Sequence, residues 1–324
     1  MNFNKDILVI DPVHEVERLS ALIHESLFNR FKRKGAVIGV SGGVDSATTL
    51  ALVVRAIGAE NVIAIAMPDQ DSNPVSEILG KDIATKFGAS FVKEDITPVL
   101  ISLKCYEHRD SAVRKVFPDY NPDTDGIKLV LPTDLLGKGS LNVYSLALVR
   151  NGEEIGRRIL PAPVYLEIVA ASNMKQRTRM LTLYYHAEKR NYAVIGTANK
   201  NEHAQGFFVK YGDGGVDIQP ILHLYKTQIY QLAQYLNVPQ EIIDRTPTSD
   251  TYSAECTQEE FYFRLPFELM DLIWYGFEHE VSPEIVANEL NLATKQVENV
   301  YRDLAQKARS TEYLRMVPIT SNSN

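Results

Sequence analysis

The sequence has 324 residues, 45% hydrophobic and 23% charged, which is the composition of an ordinary globular protein. It carries 34 basic and 41 acidic residues, and this net charge of -7 gives no reason to expect a nucleic-acid partner. Cys105 and Cys256 form no close pair, no secretory signal is visible, and no apolar run approaches the ~18 residues of a membrane span. We therefore expect a cytoplasmic protein with no membrane partner.

The first ninety residues alternate between helical and extended patterns. The helical segments are 13–31, 46–55 and 75–87, and the extended segments are 36–40, 61–66 and 90–92. The helical segments have apolar residues at helical spacing, and each extended segment is a short apolar run. This alternation predicts an α/β fold in which helices flank a parallel sheet.

The pattern breaks between residues 105 and 163. Three prolines interrupt a polar stretch there, and then two alternating runs, 142–150 and 153–160, flank Asn151 and Gly152. Asn-Gly tolerates positive φ at both central positions of a tight turn, so the runs predict an antiparallel β-hairpin. We interpret 105–163 as an insertion into a single domain that spans residues 1–324.

The remainder of the chain is predicted to be mostly helical. A helix at 166–189 and a strand at 192–196 resume the α/β pattern, and the later helices are 226–236, 265–277, 283–290 and 294–308. The last two have the spacing of a helix-turn-helix, but the second is not clearly basic. Packing within a helical C-terminal part is therefore the better interpretation, and a DNA-binding regulator is an alternative.

The most informative stretch is Gly39 to Ser46, with the sequence GVSGGVDS, between the first strand and its helix. Ser41, Gly42 and Gly43 allow the backbone to turn tightly and to point N–H groups at an anion, and the following helix adds its positive N-terminal end. The stretch lacks both the Lys-Ser/Thr ending of a Walker A loop and the glycine spacing of a dinucleotide-binding loop. It therefore predicts a phosphate site of another type.

This S-G-G-x-D-S string resembles the pyrophosphate loop of the N-type ATP pyrophosphatases. Later stretches are similar, in order, to the ammonia-dependent NAD synthetase family: NMKQRTRM at 173–180, Gly196-Thr197 with Glu202, GFFVKYGDGGVD at 206–217, LYKT at 224–227, PTSD at 247–250 and STEYLRMVP at 310–318. The resemblance implies an adenine nucleotide α-hydrolase-like fold. It also implies a carbon–nitrogen ligase that adenylates deamido-NAD with ATP and transfers ammonia, giving NAD, AMP and pyrophosphate.

The resemblance implies three groups of site residues. Contacts to ATP would come from Gly39, Val40, Ser41, Gly42, Gly43, Val44, Asp45, Ser46, Thr197, Lys226 and Thr248. Mg²⁺ would be held by Asp45 and Glu202, and deamido-NAD would be contacted by Arg177, Lys210 and Asp217. Carboxylate oxygens suit Mg²⁺, which commonly bridges phosphates. Asp45 and Lys226 are the predicted catalytic residues, since a fixed cation stabilises charge on the leaving pyrophosphate.

Two departures from the family pattern leave the acid substrate open. The family has His-Lys where this chain has Tyr313 and Leu314, and the 105–163 insertion is foreign to the compact pattern. The alternative is a related ATP pyrophosphatase that amidates another carboxylic acid in cell-surface sugar or specialised metabolism. No segment is left for a glutaminase domain, so ammonia is expected to be free or to come from a separate partner. The family implies a homodimer that binds the dinucleotide across its interface.

Overall fold

A four-stranded parallel sheet forms the centre of the protein. The computed structural model describes residues 3–132, 135–136, 143–248 and 251–321. The strands lie in the order β3-β2-β1-β7, and their bounds are β1 (Ala36–Gly39), β2 (Val62–Ala66), β3 (Ser90–Lys93) and β7 (Ala193–Ile195). All three neighbouring pairs are parallel, which brings the carboxyl ends of the strands to one edge. The predicted α/β fold class is confirmed.

Helices cover both faces of this sheet because successive strand residues point to opposite sides. Ala36 and Ile38 pack into one apolar core, whereas Val37 packs into another. The first core is covered by α1 (Pro12–His24, continued as a π-helix over Glu25–Arg30), α2 (Val44–Ile57), α3 (Pro74–Lys86) and α8 (Lys226–Tyr235). The second is covered by α4 (Thr97–Ser102), α5 (Cys105–Arg114) and α6 (Ala162–Glu188).

A second, antiparallel sheet lies within the predicted insertion. Its strands, in spatial order, are β4 (Asp125–Val130), β5 (Ser145–Arg150) and β6 (Glu153–Ile159). Asn151 and Gly152 have φ values of 53° and 82°, and this pair of positive angles confirms the predicted hairpin. Asn142, the first residue of the predicted hairpin, lies outside the described residues. Strand β4 was not predicted.

The C-terminal part is helical, as the sequence predicts. Its elements are α9 (Gln240–Ile243), a π-turn (Glu259–Phe263), α10 (Phe267–Glu278), α11 (Pro283–Leu290), α12 (Thr294–Ser310) and α13 (Glu312–Arg315). Two short elements lie earlier in the chain, a 3₁₀ turn (Ala59–Asn61) and α7 (Lys200–Gln205). Helices α11 and α12 bury Val286, Val297 and Val300 in one core with α10. Within the described ranges, no helix is both long and apolar enough to cross a membrane.

Candidate active site

The predicted phosphate loop lies at the carboxyl end of β1 and leads directly into α2. Gly42 has a φ of 71°, and a Cβ atom there would lie 2.8 Å from the carbonyl oxygen of Ser76, so the position requires glycine. Ser46 Oγ accepts a hydrogen bond from the Ser41 amide at 3.3 Å and closes the turn from within. Because α2 begins at Val44, the loop presents the positive N-terminal end of a 14-residue helix.

Two predicted catalytic residues, Asp45 and Lys226, form an ion pair beside this loop. Lys226 Nζ donates to Asp45 Oδ2 at 2.5 Å, and Asn199 Nδ2 donates to Asp45 Oδ1 at 3.1 Å. The Lys226 side chain is only 1% exposed. Burial disfavours its charged form, but the Asp45 and Glu202 carboxylates outweigh this effect and raise the pKa of Lys226. The ammonium group is therefore fixed and charged at the edge of the loop.

The second predicted metal ligand, Glu202, faces the same site from α7. Asn199 caps α7 and exchanges hydrogen bonds with Glu202, which fixes the glutamate backbone and side chain. Gln258 Nε2 also donates to Glu202 Oε1, at 3.3 Å. Burial and, next, the Asp45 carboxylate raise the pKa of Glu202. A cation would relieve both effects, so the pair fits the carboxylate donor set that Mg²⁺ uses.

Within the described part of the chain, no group of three or more acidic, histidine or cysteine side chains is arranged to hold a metal ion. An ion held by Asp45 and Glu202 would therefore complete its shell with water and substrate oxygens. This is the usual arrangement for Mg²⁺, which loses its waters reluctantly and is commonly held by one or two carboxylates together with phosphates.

A buried network that the sequence analysis missed positions Lys226. The Lys226 amide donates to Asn201 Oδ1 at 3.1 Å, and Asn201 Nδ2 donates to Asp271 Oδ1 at 2.5 Å. Asp271 Oδ2 accepts from the Thr227 amide at 2.8 Å, so the carboxylate also holds the first turn of α8. Asp271 is completely buried. Its signal in the sequence is an aspartate in the middle of the largely apolar run FELMDLIWYGF, whose other acidic residue, Glu268, lies in the first turn of α10.

We expect Asp271→Ala to lower the free energy of unfolding by about 2–4 kcal/mol, because it leaves the Asn201 amide and the Thr227 N–H without their acceptor. Urea unfolding followed by circular dichroism measures this change. Asp82→Ala, at an exposed position on α3, is the control and should stay within about 0.5 kcal/mol of the unsubstituted protein. A loss for Asp271→Ala no larger than that of the control would contradict the role of the network.

The loop and the ion pair open into one large cavity with a volume of about 830 Å³. The cavity is lined by all the predicted ATP contacts except Gly42, namely Gly39, Val40, Ser41, Gly43, Val44, Asp45, Ser46, Thr197, Lys226 and Thr248. Both predicted metal ligands, Asp45 and Glu202, also line it. Gly42 supports the turn from behind. The structure therefore brings the predicted nucleotide and metal residues together, although they come from distant parts of the sequence.

The three predicted deamido-NAD contacts do not line this cavity. Arg177 is exposed on the outer side of α6. Lys210 Nζ donates to the carbonyl oxygens of Tyr313 and Met316, at 2.9 and 2.8 Å. Asp217 accepts from the Val194 amide, at 2.8 Å, and from the Tyr184 hydroxyl. Within one chain, these three residues are thus separate from the nucleotide site.

The helix geometry of α6 explains why Arg177 points outward. Residues 175 and 179 are four positions apart and share one face of a helix, whereas residue 177 lies on the opposite side. Lys175 Nζ contacts Asp69 Oδ1 at 3.0 Å, and Arg179 contacts Asp69 Oδ2 at 2.7 Å. Arg179 also lines the cavity. In the stretch NMKQRTRM, the inward-facing cations are therefore Lys175 and Arg179, neither of which was predicted as a site residue.

Comparisons with known proteins identify the family of this chain. A model of the NAD synthase family matches residues 15–117 and 156–318. The NH(3)-dependent NAD(+) synthetase of Rhizobium meliloti (strain 1021) is 46% identical over 316 residues, which cover 98% of this chain and 94% of that protein. The protein of the same name from Thermotoga maritima is 35% identical over 304 residues, covering 94% and 98% of the two chains.

Solved structures share the fold. An NH3-dependent NAD synthetase from Campylobacter jejuni superposes with a TM-score of 0.61 at 22% identity, covering 96% of this chain and 99% of that one. An NMN synthetase from Francisella tularensis gives a TM-score of 0.59 at 21% identity, covering 97% and 100%. The family predicted from the sequence is thereby confirmed: this chain belongs to the NAD synthase family.

Proposed function

We propose that this protein is an ammonia-dependent NAD synthetase, a ligase that converts deamido-NAD, ATP and ammonia into NAD, AMP and pyrophosphate. The observation that carries the proposal is the joint placement of the glycine loop, Asp45, Glu202 and Lys226 around one cavity. It is supported by the 46% identity, over nearly the whole chain, with a protein named for this activity.

The reaction has two steps, adenylation of the carboxylate and transfer of ammonia. A carboxylate oxygen of deamido-NAD attacks the α-phosphorus of ATP, and the bond from that phosphorus to the bridging oxygen of the β-phosphate breaks. The products are an acyl-adenylate and pyrophosphate. Ammonia then attacks the acyl carbon, the carbon–oxygen bond to AMP breaks, and the nitrogen loses one proton to solvent.

The residues of this chain divide that work between them. The Gly39–Ser46 loop offers backbone N–H groups and the end of α2 to the pyrophosphate. Lys226 holds a fixed positive charge beside it, where negative charge accumulates as the pyrophosphate leaves. Thr197 and Thr248 line the cavity, where their hydroxyl groups would contact ATP. Asp45 and Glu202 would hold Mg²⁺, which supplies further neutralisation of the phosphate oxygens.

We further propose that the active form is a homodimer with deamido-NAD bound across the interface. Leu166, Leu181 and Tyr185 on α6 are between 60% and 64% exposed, and exposed apolar side chains that are grouped on one surface are typical of an interaction site. Arg177, Leu181 and Tyr185 are spaced four residues apart and form one stripe along the helix. If a second chain packed on this stripe, Arg177 of one chain would reach the deamido-NAD bound to the other chain. This arrangement accounts for the distance between Arg177 and the cavity of the chain that carries it.

Leu181→Lys is expected to convert the dimer into a monomer and to raise the KM for deamido-NAD, because a charge buried in an apolar interface is unfavourable and Arg177 would no longer reach the partner. Light scattering after gel filtration measures the mass. Ile285→Lys alters a comparably exposed apolar residue on α11 and should leave the dimer intact. A Leu181→Lys protein that remains dimeric would place the interface elsewhere.

Product analysis tests the proposed reaction directly. The purified protein is given ATP, Mg²⁺ and ammonium with deamido-NAD or with other carboxylic acids, and pyrophosphate, AMP and the amide are measured. We expect equal amounts of NAD, AMP and pyrophosphate from deamido-NAD, and no amide without ammonium. Turnover confined to a different acid would reject deamido-NAD as the substrate while retaining the ligase chemistry.

A further inference from the structure

A buried cluster of six charged side chains lies beside the cavity, just beyond the carboxyl end of β2. Its members are three carboxylates and three cations: Asp69, Asp71, Asp110, Arg109, Lys175 and Arg179. Apart from Arg179, their side chains are between 0% and 11% exposed. Each charge is paired with an opposite one, as buried charges must be when water cannot reach them.

Asp69 is the centre of this cluster and contacts two of its cations. Lys175 Nζ donates to Asp69 Oδ1 at 3.0 Å, and Arg179 Nη2 donates to Asp69 Oδ2 at 2.7 Å. Burial opposes the ionisation of Asp69, but the charges of Lys175 and Arg179 outweigh it and lower the pKa of this carboxyl group. Lys175 also donates to Asp71 at 2.6 Å, and Asp71 accepts from Arg109. The Asp69 carboxylate is therefore ionised and held in place.

Arg179 connects the cluster to the cavity. Of the six residues, only Arg179 lines the cavity, and its side chain is 17% exposed. Its Nε donates to the Met67 carbonyl oxygen at 3.1 Å and its Nη2 to Asp69, so one edge of the guanidinium group is bound by the protein. Among the described residues, none accepts a hydrogen bond from the remaining nitrogen, Nη1. Because the group is planar and rigid, fixing one edge also fixes the direction of Nη1.

The cluster is better explained by its effect on the cavity than by stability. A buried ion pair is often no more stabilising than well-packed apolar residues of similar volume. This cluster, however, holds a cation at the cavity wall before any ligand arrives, and such a preorganised charge binds an anion without the cost of ordering the side chain. The planar fork of arginine also matches the oxygens of a phosphate or a carboxylate.

We propose that Arg179 binds an anionic group of a substrate and that Asp69 is the residue that positions Arg179 for this contact. The anion is a phosphate of ATP or an anionic group of deamido-NAD. This inference rests on the proposed function, which supplies these two ligands. Lys226 holds its charge beside the glycine loop, so Arg179 would be a second fixed cation on the wall of the same cavity.

Binding measurements on Arg179→Met test the anion contact. Two ligands are titrated separately by calorimetry with Mg²⁺ present: deamido-NAD, and α,β-methylene-ATP, which cannot be cleaved between its α- and β-phosphates. We expect one dissociation constant to rise at least about tenfold, the loss expected for a charge-assisted hydrogen bond, and the other to change less than about threefold. The weakened ligand identifies the source of the anion. Arg55→Met, at an exposed position in the last turn of α2, is the matched control and should change neither constant.

A double-mutant cycle tests the role of Asp69. Asp69→Asn alone should weaken the same ligand at least about threefold, because Arg179 loses the carboxylate that directs it. In the Arg179→Met background, Asp69→Asn should change the dissociation constant less than about twofold, because no guanidinium group is left to position. An equal effect in both backgrounds would show that Asp69 acts on the fold and not through Arg179.

Arg179→Lys decides the positioning role if Asp69→Asn does not fold. Lysine keeps the charge but has a single terminal nitrogen, which cannot pair with Asp69 along one edge and face the cavity with another. We therefore expect Arg179→Lys to weaken the ligand nearly as much as Arg179→Met does. Normal affinity in Arg179→Lys would mean that a charge near the wall is sufficient, and the positioning role of Asp69 would be rejected.

The anion contact itself is overturned by either of two results in an Arg179→Met protein that melts like the unsubstituted one. Both dissociation constants stay within about threefold, or both rise equally, which would indicate a general change of the cavity. Failure of the proposed function looks different, because the unsubstituted protein would then form no NAD from deamido-NAD. In that case the titration with α,β-methylene-ATP alone decides whether Arg179 binds an anion.

Discussion

Asp45→Asn is expected to slow pyrophosphate release at least about a hundredfold at saturating Mg²⁺ and ATP, comparable to the loss of one fixed transition-state contact. The asparagine has nearly the same shape, but one of its two terminal atoms becomes a donor. That donor must face either Lys226 Nζ or Asn199 Nδ2, both of which now donate to Asp45. The substitution also removes one of the two carboxylates that would hold Mg²⁺. Pyrophosphate release in a single turnover measures the effect.

Two further variants show whether that effect is specific. Glu202→Gln should be impaired in the same way, because both carboxylates serve one ion. Asp82→Asn changes an exposed aspartate on α3 and should leave the rate unchanged. If Asp45→Asn turned over near the normal rate at saturating Mg²⁺, the assignment of Asp45 to the metal would be wrong.

The fold class was predictable because its signals are local. The strands are apolar runs of only three to five residues, and they alternate with longer segments that have helical spacing, so length and alternation separate strand from helix. The hairpin was predictable for a similar reason, since Asn151 and Gly152 select a turn type by their own conformational freedom. In each case the information lies within a dozen consecutive residues.

The segment 105–163, which was predicted to be an insertion, shows where local signals stop. Its hairpin looked self-contained, but Leu146 and Leu148 of β5 are buried in a core shared with Ile168 of α6 and Tyr252. Strand β4 has the alternating pattern of Ile127 and Leu129, yet the prolines on either side of that segment obscured it. A core formed by distant segments cannot be read from the spacing within any one of them.

In the candidate site, too, some residues were predictable from local sequence and others were not. The glycine loop was predictable from physical chemistry, because its residues place backbone N–H groups at a helix end. The family resemblance assigned Asp45 and Lys226, 181 positions apart, to one site, but it did not predict their ion pair, which the structure shows. Asp271 had no motif at all, since its role depends on where α10 packs against α8. Arg177 was predicted by the resemblance, but its outward direction follows from helix geometry.

Lys226→Met is expected to abolish measurable turnover, with a fall in kcat of at least about a hundredfold, while the protein still folds. The methionine chain has nearly the length of the lysine chain and can pack against Phe267 and Tyr230, whose rings lie 5.5 and 6.0 Å from Lys226 Nζ. Removing one partner of a buried ion pair costs about 3–5 kcal/mol, so we expect a less stable protein that is still folded under the assay conditions, which circular dichroism checks. The lost ammonium leaves Asp45 and Glu202 facing each other without an opposing charge.

That electrostatic change makes a second readout possible. Without the lysine, the two carboxylates repel each other more strongly, so a divalent cation gains affinity even though the transition state loses its fixed charge. Mn²⁺ binding in the presence of ATP, followed by electron paramagnetic resonance, should therefore tighten or stay equal in Lys226→Met while kcat collapses. Lys295→Met, at a side chain that is 69% exposed, is the control for loss of a lysine. A Lys226→Met enzyme within fivefold of the normal kcat would show that the lysine is structural, and that the charge on the leaving pyrophosphate is stabilised by other groups.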